Sequence, residues 1–360
     1  MEFNAKIGFV GDVILKTRGK KNPFSYFIHE FNELDLLIVN LETIISNKAF
    51  IPSKRKSVLF KTEEKNLVWL EEFKDKVLFC LSNNHIYDYF EEGYNDTIAC
   101  LNRKGFMFCE YNNSKVIYLK GKKLNVNNFN LTGDWQKEYK KVNLNYVIDA
   151  INIVAVHWGK EHLILPAPYQ IKLAEDWLSR GFKIIVGHHS HTLNPIERID
   201  NDKIIAYSLG NFNSFQFDIK PSFLNLYSGL LTVLIKGDSL SYHMMPCYID
   251  DNYSPKPTVL NFIDTINNEY LKYKRKPFWK QDVIFKFHTA PEFFRNNIVG
   301  GFFPRIRKNG WKEVFPFIKW FFTRGFLYMC LIPFSTMFSS TKTLRRLKKY
   351  KLNEKEEISN

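Results

Sequence analysis

Six times along the body of this chain a short apolar run stops at a polar cluster. Lys6–Val10 runs into Gly11-Asp12, Leu36–Val39 into Asn40-Leu41-Glu42, and Val77–Leu81 into Asn83-Asn84-His85. Ile151–Val156 runs into His157-Trp158-Gly159, Ile184–Val186 into Gly187-His188-His189-Ser190-His191, and Ile204–Tyr207 into Ser208-Leu209-Gly210-Asn211-Phe212. Short apolar runs bounded by turn-forming residues read as buried strands. Helix-like segments alternate with them: Pro23–Phe31, a segment capped by Thr62 and running through Phe73, Gly93–Lys104 closed by Gly105, and Pro166–Arg180 closed by Gly181. Further strands are expected around 115–120 and 124–131, and the pattern turns to strand pairs after 194, at 195–199, 203–207, 229–236 and 240–247. This order predicts an α/β domain with two sheets.

Polar side chains placed repeatedly at strand C-termini are what a convergent site needs, because open α/β sheets hold their ligands there. The histidine cluster puts three imidazoles in four residues, in a chain that uses histidine nine times. Neutral imidazole is the commonest metal ligand. Each motif alone has a plain reading: Asp12 as a turn residue, Glu42 as a surface charge, Asn84 as a turn former, His157 as a core histidine beside Trp158. Their recurrence in one structural slot argues for a shared site. Carboxylates, imidazoles and an amide oxygen together suit Mn, Fe or Zn better than Ca or Mg. His162 reads as solvent-facing, and His29, His243 and His288 lie outside any motif.

Taken with Ile86-Tyr87-Asp88 after His85 and Lys160-Glu161 after Gly159, these six motifs resemble, in order and spacing, those of the CapA capsule-synthesis family. That family is named for poly-γ-glutamate capsule production and is similar in fold to calcineurin-like metallophosphoesterases. The resemblance covers residues 6–248 and implies a four-layer α/β/β/α sandwich with a metal centre at the strand ends. By position it implies that Asp12 and His191 hold one divalent ion. Glu42 would bridge to a second ion held by Asn84, His157 and His189. It implies His85 as the general acid or hydrogen-bond donor, oriented by Asp88, and Asn211 and His188 at the substrate. Two ions ~4 Å apart would clamp a phosphate-like or carboxylate-like group and acidify a bound water. Three positions depart from the pattern: Ile14 where the phosphoesterases have histidine, Phe90 where the family has Gly, and Ser190 where it has Pro.

Charge separates the chain into two parts. Residues 271–360 carry 20 Lys and Arg against 6 Asp and Glu, whereas the first 270 are balanced at 31 and 31, so the whole net charge of +14 lies in the tail. We therefore expect a body at 1–260 and a basic, aromatic-rich, helical extension at 261–360. Residues 277–338 are rich in aromatics interleaved with Lys and Arg, 344–351 adds a basic cluster, and the run 314–332 is too charged to span a bilayer. That composition suits a membrane surface or a membrane-bound synthase, or packing on the body, better than nucleic acid. Five scattered cysteines without CxxC spacing, and a start without a basic and then apolar leader, point to a cytoplasmic protein, peripheral at the inner membrane face. The expected function is metal-dependent hydrolysis of a phosphoester or anionic polymer during capsule or surface-polymer synthesis. The alternative is a non-catalytic accessory subunit that holds such a polymer.

Overall fold

The computed structural model describes residues 4–19, 21–53, 58–214 and 223–294, with 306–307, 310–315 and 318 beyond them. The chain divides into two compact units at Asn267/Asn268.

The first unit opens with β1 (Asn4–Val13), a short α1 (Ile28–Asn32), β2 (Leu36–Leu41) and the two-residue strands β3 (Ile44–Ile45) and β4 (Lys61–Thr62). It continues through β5 (Val77–Cys80), α2 (Phe90–Lys104), β6 (Met107–Cys109), β7 (Asn113–Leu119), β8 (Lys122–Asn130) and α3 (Trp135–Tyr139). Next come β9 (Ala150–His157), α4 (Pro168–Ser179), β10 (Ile184–His188), β11 (Ile196–Ile199), β12 (Lys203–Ala206) and β13 (Asn211–Asn213). The hairpin β14 (Tyr227–Lys236) and β15 (Ser239–Ile249) and the edge strand β16 (Pro255–Pro257) follow, and helix α5 (Ile263–Lys274) contains the boundary between the units.

Two large sheets result. One has the order β16-β15-β14-β1-β2-β5-β6, and the other β11-β12-β10-β9-β8-β7. The inner strands β1, β2, β5 and β6 are mutually parallel, as are β8, β9, β10 and β12. Parallel strands are covered on both faces, so they read as unbroken apolar runs, and β2 and β5 are buried at every position. Phe27, Phe31, Phe73 and Phe212 pack beneath the first sheet in one aromatic cluster. In the second sheet Trp158 stacks between Trp177 of α4 and Tyr207.

After β12 the chain leaves the second sheet, and β13 pairs in parallel with β1 in the first, Asp12 opposite Asn211. This crossing demands close backbone approach at two glycines. A Cβ on Gly11 would fall 2.2 Å from the carbonyl oxygen of Gly210, and one on Gly187 2.0 Å from that of Tyr207. Both positions therefore exclude any larger residue.

Local departures from the sequence expectations have physical causes. The segment ending at Phe73 is a 3-10 helix, Glu64–Phe73, capped at Glu63 without a side-chain bond. Thr62 does not cap it, because its hydroxyl donates to the Leu15 carbonyl at 2.7 Å. The candidate at Pro23–Phe31 splits into a 3-10 turn, Ser25–Phe27, and α1. Gly105 and Gly181 end α2 and α4 with left-handed φ of 75° and 94°, as expected of C-terminal glycines.

The second unit contains α6 (Phe278–Phe294) and a 3-10 turn at Gly310–Glu313. Gln281 of α6 donates to the carbonyls of Lys274 and Lys276, which closes the turn preceding it. Among the described residues no helix is long and apolar enough to cross a membrane. The basic cluster near 344–351 and most of the aromatic run 314–332 lie outside the described residues.

Candidate metal centre

Five strand ends bring the anticipated residues together. Asp12 sits near the end of β1, Glu42 one residue past β2, His157 at the last position of β9 and His188 at that of β10. Asn84 and His85 lie in the turn after β5, and His189 and His191 in the turn after β10. His189 and His191 both have left-handed backbones, φ 89° and 53°. Such conformations cost about 1 kcal/mol or more in a non-glycine residue and persist only where the surroundings enforce them. Ser190, between them, does that: its hydroxyl donates to the Thr192 carbonyl at 2.9 Å and accepts from Asn194 at 3.0 Å. Ser190 thus anchors the turn by hydrogen bonds.

Glu42 is fully buried, and neither carboxylate oxygen has a hydrogen-bond partner. A buried charge left in this state is costly unless a cation or proton meets it. Ligand atoms of Glu42, His189 and His191 all lie within 4.8 Å of one another, as a shared ion requires. The Oε1 of Glu42 is 3.4 Å from Nε2 of His157, which is 2.7 Å from Oδ1 of Asn84. Asp12, also fully buried, has Oδ1 3.2 Å from Nδ1 of His188 and Oδ2 3.1 Å from Nδ1 of His191. The geometry thus joins His191 to Glu42 and His189, and sets His188 beside Asp12.

Electrostatics fit a cation. Burial, reinforced by the charge of Asp12, pushes Glu42 well above the usual carboxylate range. Burial would raise Asp12 too, but His188 and His191 hold it well below that range. Burial lowers His189 to about 4, and burial with His189 alongside holds His157 well below the usual imidazole range, so both are neutral and keep a lone pair to donate. For His191 burial opposes the proton, but Glu42 and Asp12 outweigh it and raise it to about 10. Glu42 and His191 therefore compete for one proton, and a bound cation would take that proton's place. The unpartnered oxygens of Glu42, the unpartnered Nδ1 of His189 and this mixed O/N donor set all fit a divalent ion.

His85 stands apart from the triad. Its Nδ1 is 2.7 Å from Oδ2 of Asp88, and its ring lies 4.1 Å from that of Phe60. The same Asp88 oxygen accepts from the Phe60 amide at 2.6 Å, so one carboxylate fixes both the imidazole and the segment beside it. Asn211 is buried and turned inward: Oδ1 faces Nδ1 of His191 at 2.9 Å, and Nδ2 donates to the Asn225 carbonyl. His162 is exposed, with a backbone amide tied to the Ser190 carbonyl at 2.7 Å.

Two further residues belong to the site. Asn40 donates to Oδ1 of Asp12 at 2.8 Å and lies 3.3 Å from Nδ1 of His157, linking the ends of the two sheets. It falls within the Asn40-Leu41-Glu42 motif, whose glutamate alone was singled out. Asn225 donates to the His191 carbonyl at 2.8 Å and accepts from Asn211. It belongs to no strand-end motif, so no sequence signal marked it.

A sequence model of the family described as bacterial capsule synthesis protein PGA_cap matches residues 6–143 and 134–216. The chain belongs to the PGA_cap family. The matched residues include every candidate ligand from Asp12 to Asn211. Among PGA_cap relatives, the PGA biosynthesis protein CapA of Bacillus subtilis (strain 168) is 27% identical over 237 residues, covering 57% of this chain and 62% of that protein. The capsule biosynthesis protein CapA of Bacillus anthracis is 42% identical over 76 residues, covering 21% of this chain and 17% of that protein. A probable polyglutamine synthesis accessory protein of Mycobacterium tuberculosis (strain CDC 1551 / Oshkosh) is 23% identical over 256 residues, covering 59% and 65%. The matches span less than two thirds of each relative.

Proposed function

We propose that this chain is a metal-dependent hydrolase of the phosphoesterase-like kind, acting in synthesis of a capsule or another anionic surface polymer. The observation that carries the reading is Glu42: a fully buried carboxylate with no hydrogen-bond partner, facing two imidazoles. The two sheets would form the inner layers of a four-layer α/β/β/α sandwich, and the functional body would be 1–260. Asp12, Glu42, Asn84, His157, His189 and His191 would hold divalent ions, of which Mn, Fe and Zn suit the donors. When bound, such ions polarise a phosphoryl or carbonyl oxygen and lower the pKa of a bound water.

The chain's own groups do the rest. Asp88 orients His85 through Nδ1, and the protonated ring would pass its Nε2 proton to a leaving group. Asn211 and Asn40 keep His191 and Asp12 in register. His188 sets a second imidazole against Asp12. The basic extension at 261–360 would bring the body to an anionic membrane surface or a membrane-bound synthase. Flotation of the full-length protein with anionic vesicles, weakened by salt, checks that attachment, and absence of flotation rejects it.

The name of the mycobacterial relative favours a second reading, an accessory subunit that binds polymer without cleaving it. Metal content together with turnover of a generic phosphodiester separates the two. Bound metal with turnover that falls on His85→Gln supports the hydrolase. Bound metal without turnover of any phosphoester or amide supports the accessory role, and purified protein that takes up no divalent ion rejects the metal centre.

A further inference from the structure

We infer that the exposed face at the start of α6, centred on Trp279 and the basic residues around it, lies in the headgroup plane of an anionic lipid surface. This deepens the proposed function, rests on its reading of the basic extension as the part that attaches the body, and chooses lipid over a protein partner. Arg275, Lys276, Pro277, Phe278, Trp279 and Lys280 follow one another, and all are exposed. Trp279 is 63% exposed, and Val283, one helical turn further along the same face, is 39% exposed. The ammonium of Lys280 lies 5.2 Å from the centre of the Trp279 ring.

Such a face calls for an apolar neighbour. Helix α6 is 17 residues long and apolar on more than one side. Ile284 and Phe285 are half-buried, whereas Trp279 and Val283 point to solvent from another side. A helix with apolar residues on both sides needs cover for the outer one. Spanning a bilayer does not supply it: 17 residues at 1.5 Å each reach about 25 Å, against a hydrocarbon core of about 30 Å. Lying flat at the interface does. There an indole ring rests at headgroup level with its N–H in the polar zone, and neighbouring Lys and Arg reach the phosphates.

Charge selects the occupant. Residues 271–286 contain six Lys and Arg against a single acid, Asp282. That acid is paired with Lys286 at 2.6 Å. Two copies of so basic a face would repel each other, whereas each cation gains attraction near an anionic bilayer. The face is also built in advance. The buried Gln281 donates to the carbonyls of Lys274 and Lys276 at 3.0 and 2.8 Å, and its own carbonyl accepts from the buried Tyr273 hydroxyl at 3.3 Å. The amides of Lys280 and Gln281 both donate to the Pro277 carbonyl, at 2.8 and 3.1 Å. The turn that carries 275–280 is thus fixed, so docking on a surface costs little ordering entropy.

The test is co-sedimentation of the full-length protein with vesicles of phosphatidylglycerol and phosphatidylcholine, and with phosphatidylcholine alone, at low and high salt. Wild type should bind the anionic vesicles alone, and less tightly in high salt. Trp279→Ser combined with Val283→Ser should lower the partition coefficient about tenfold. Arg275→Gln combined with Lys276→Gln should lower it about 10–30-fold and flatten its salt dependence. Lys120→Gln, on an exposed lysine paired with Asp35 in the first unit, should bind as wild type. Metal content and the circular-dichroism spectrum should be the same in every variant, because the altered side chains are exposed. Wild-type binding that neither double variant weakens overturns the proposal and leaves attachment to another part of the extension. No binding of wild type to anionic vesicles overturns it together with membrane attachment, and leaves the metal centre standing. Salt-insensitive binding to phosphatidylcholine alone also overturns it, since charge then plays no part. A dimer that forms without vesicle binding and that Trp279→Ser with Val283→Ser disperses assigns the face to a second copy instead.

Discussion

Asn211 presents its Oδ1 to Nδ1 of His191 at 2.9 Å because its own Nδ2 is committed to the Asn225 carbonyl at 3.2 Å. An amide oxygen can only accept, so Nδ1 keeps a proton, and Nε2 would offer its lone pair once a cation displaces the second proton of the ring. That Nε2 lies 3.9 Å from Oε1 of Glu42. One asparagine thus selects the tautomer that a ligand needs.

Asn211→Ala should therefore weaken divalent-metal affinity by about 10–100-fold, the usual effect of losing a group that orients a ligand. It should also destabilise the fold by about 1–3 kcal/mol through the unpaired partners left behind. Asn211→Asp keeps the acceptor and should recover most of the affinity. Metal titration and chemical denaturation of both variants check this, and unchanged affinity in the alanine variant would remove Asn211 from the centre.

Replacing His157 and His189 together with alanine should abolish uptake of at least one ion and leave the fold intact. Both side chains lie at a strand end or in a turn, and the sheets below them are held by other residues. Elemental analysis beside a circular-dichroism spectrum gives the answer. Full metal occupancy in the double variant contradicts the ligand assignment.

His85→Gln should lower turnover by about 10²–10⁴-fold, the range for losing a general acid or base, with metal content unchanged. Asp88→Asn should lower it less, because the ring stays in place with a weaker partner. It should also loosen the segment at Phe60, whose amide the Asp88 carboxylate accepts. Loss of metal in the His85 variant would show instead that His85 is a ligand.

Phe90→Gly should stabilise the protein by about 0.5–1 kcal/mol. Phe90 begins α2 with a φ of 56° and is 50% exposed, so it bears left-handed strain with a ring only half covered. The strain is worth about 1–2 kcal/mol, part of which the greater unfolded-state freedom of glycine cancels. The midpoint of urea unfolding reads the result, and a lower midpoint would mean that the ring contributes more than the strain removes.

The two-sheet α/β body was legible because parallel strands buried on both faces must be continuous apolar runs, and Leu36–Val39 and Ile184–Val186 have no other use. That polar residues would converge at strand ends was legible because each candidate follows such a run, and Glu42, His189 and His191 do come together. Which ring nitrogen faces which carboxylate is not legible in a sequence, because it depends on tertiary placement: Asp12 lies 3.1 Å from Nδ1 of His191, while Glu42 approaches Nε2 of the same ring. Asn211, expected at the substrate, turns its Oδ1 to His191, a contact that no sequence pattern marks. Asn40 was overlooked beside Glu42, although the two-residue alternation of a strand puts positions 40 and 42 on one face. Strands β3, β4 and β13 are too short to carry a periodic signal and exist through tertiary pairing. The positive φ of Phe90 was not legible, and it is a conformation that glycine would adopt without strain.

The pairing of Asp12 with Asn211 has a consequence for how the protein matures. It joins the first strand to one that the ribosome delivers much later, and a contact of such sequence separation is slow to form. Until it closes, His191 lacks its orienting amide, so an unfinished chain presents scattered histidines and no organised cage. Metal uptake should accordingly trail the burial of Trp158 and Trp177 during refolding, a delay that protects the nascent chain from trapping an ion in the wrong arrangement. Simultaneous appearance of metal binding and tryptophan burial would show that the cage assembles without this strand.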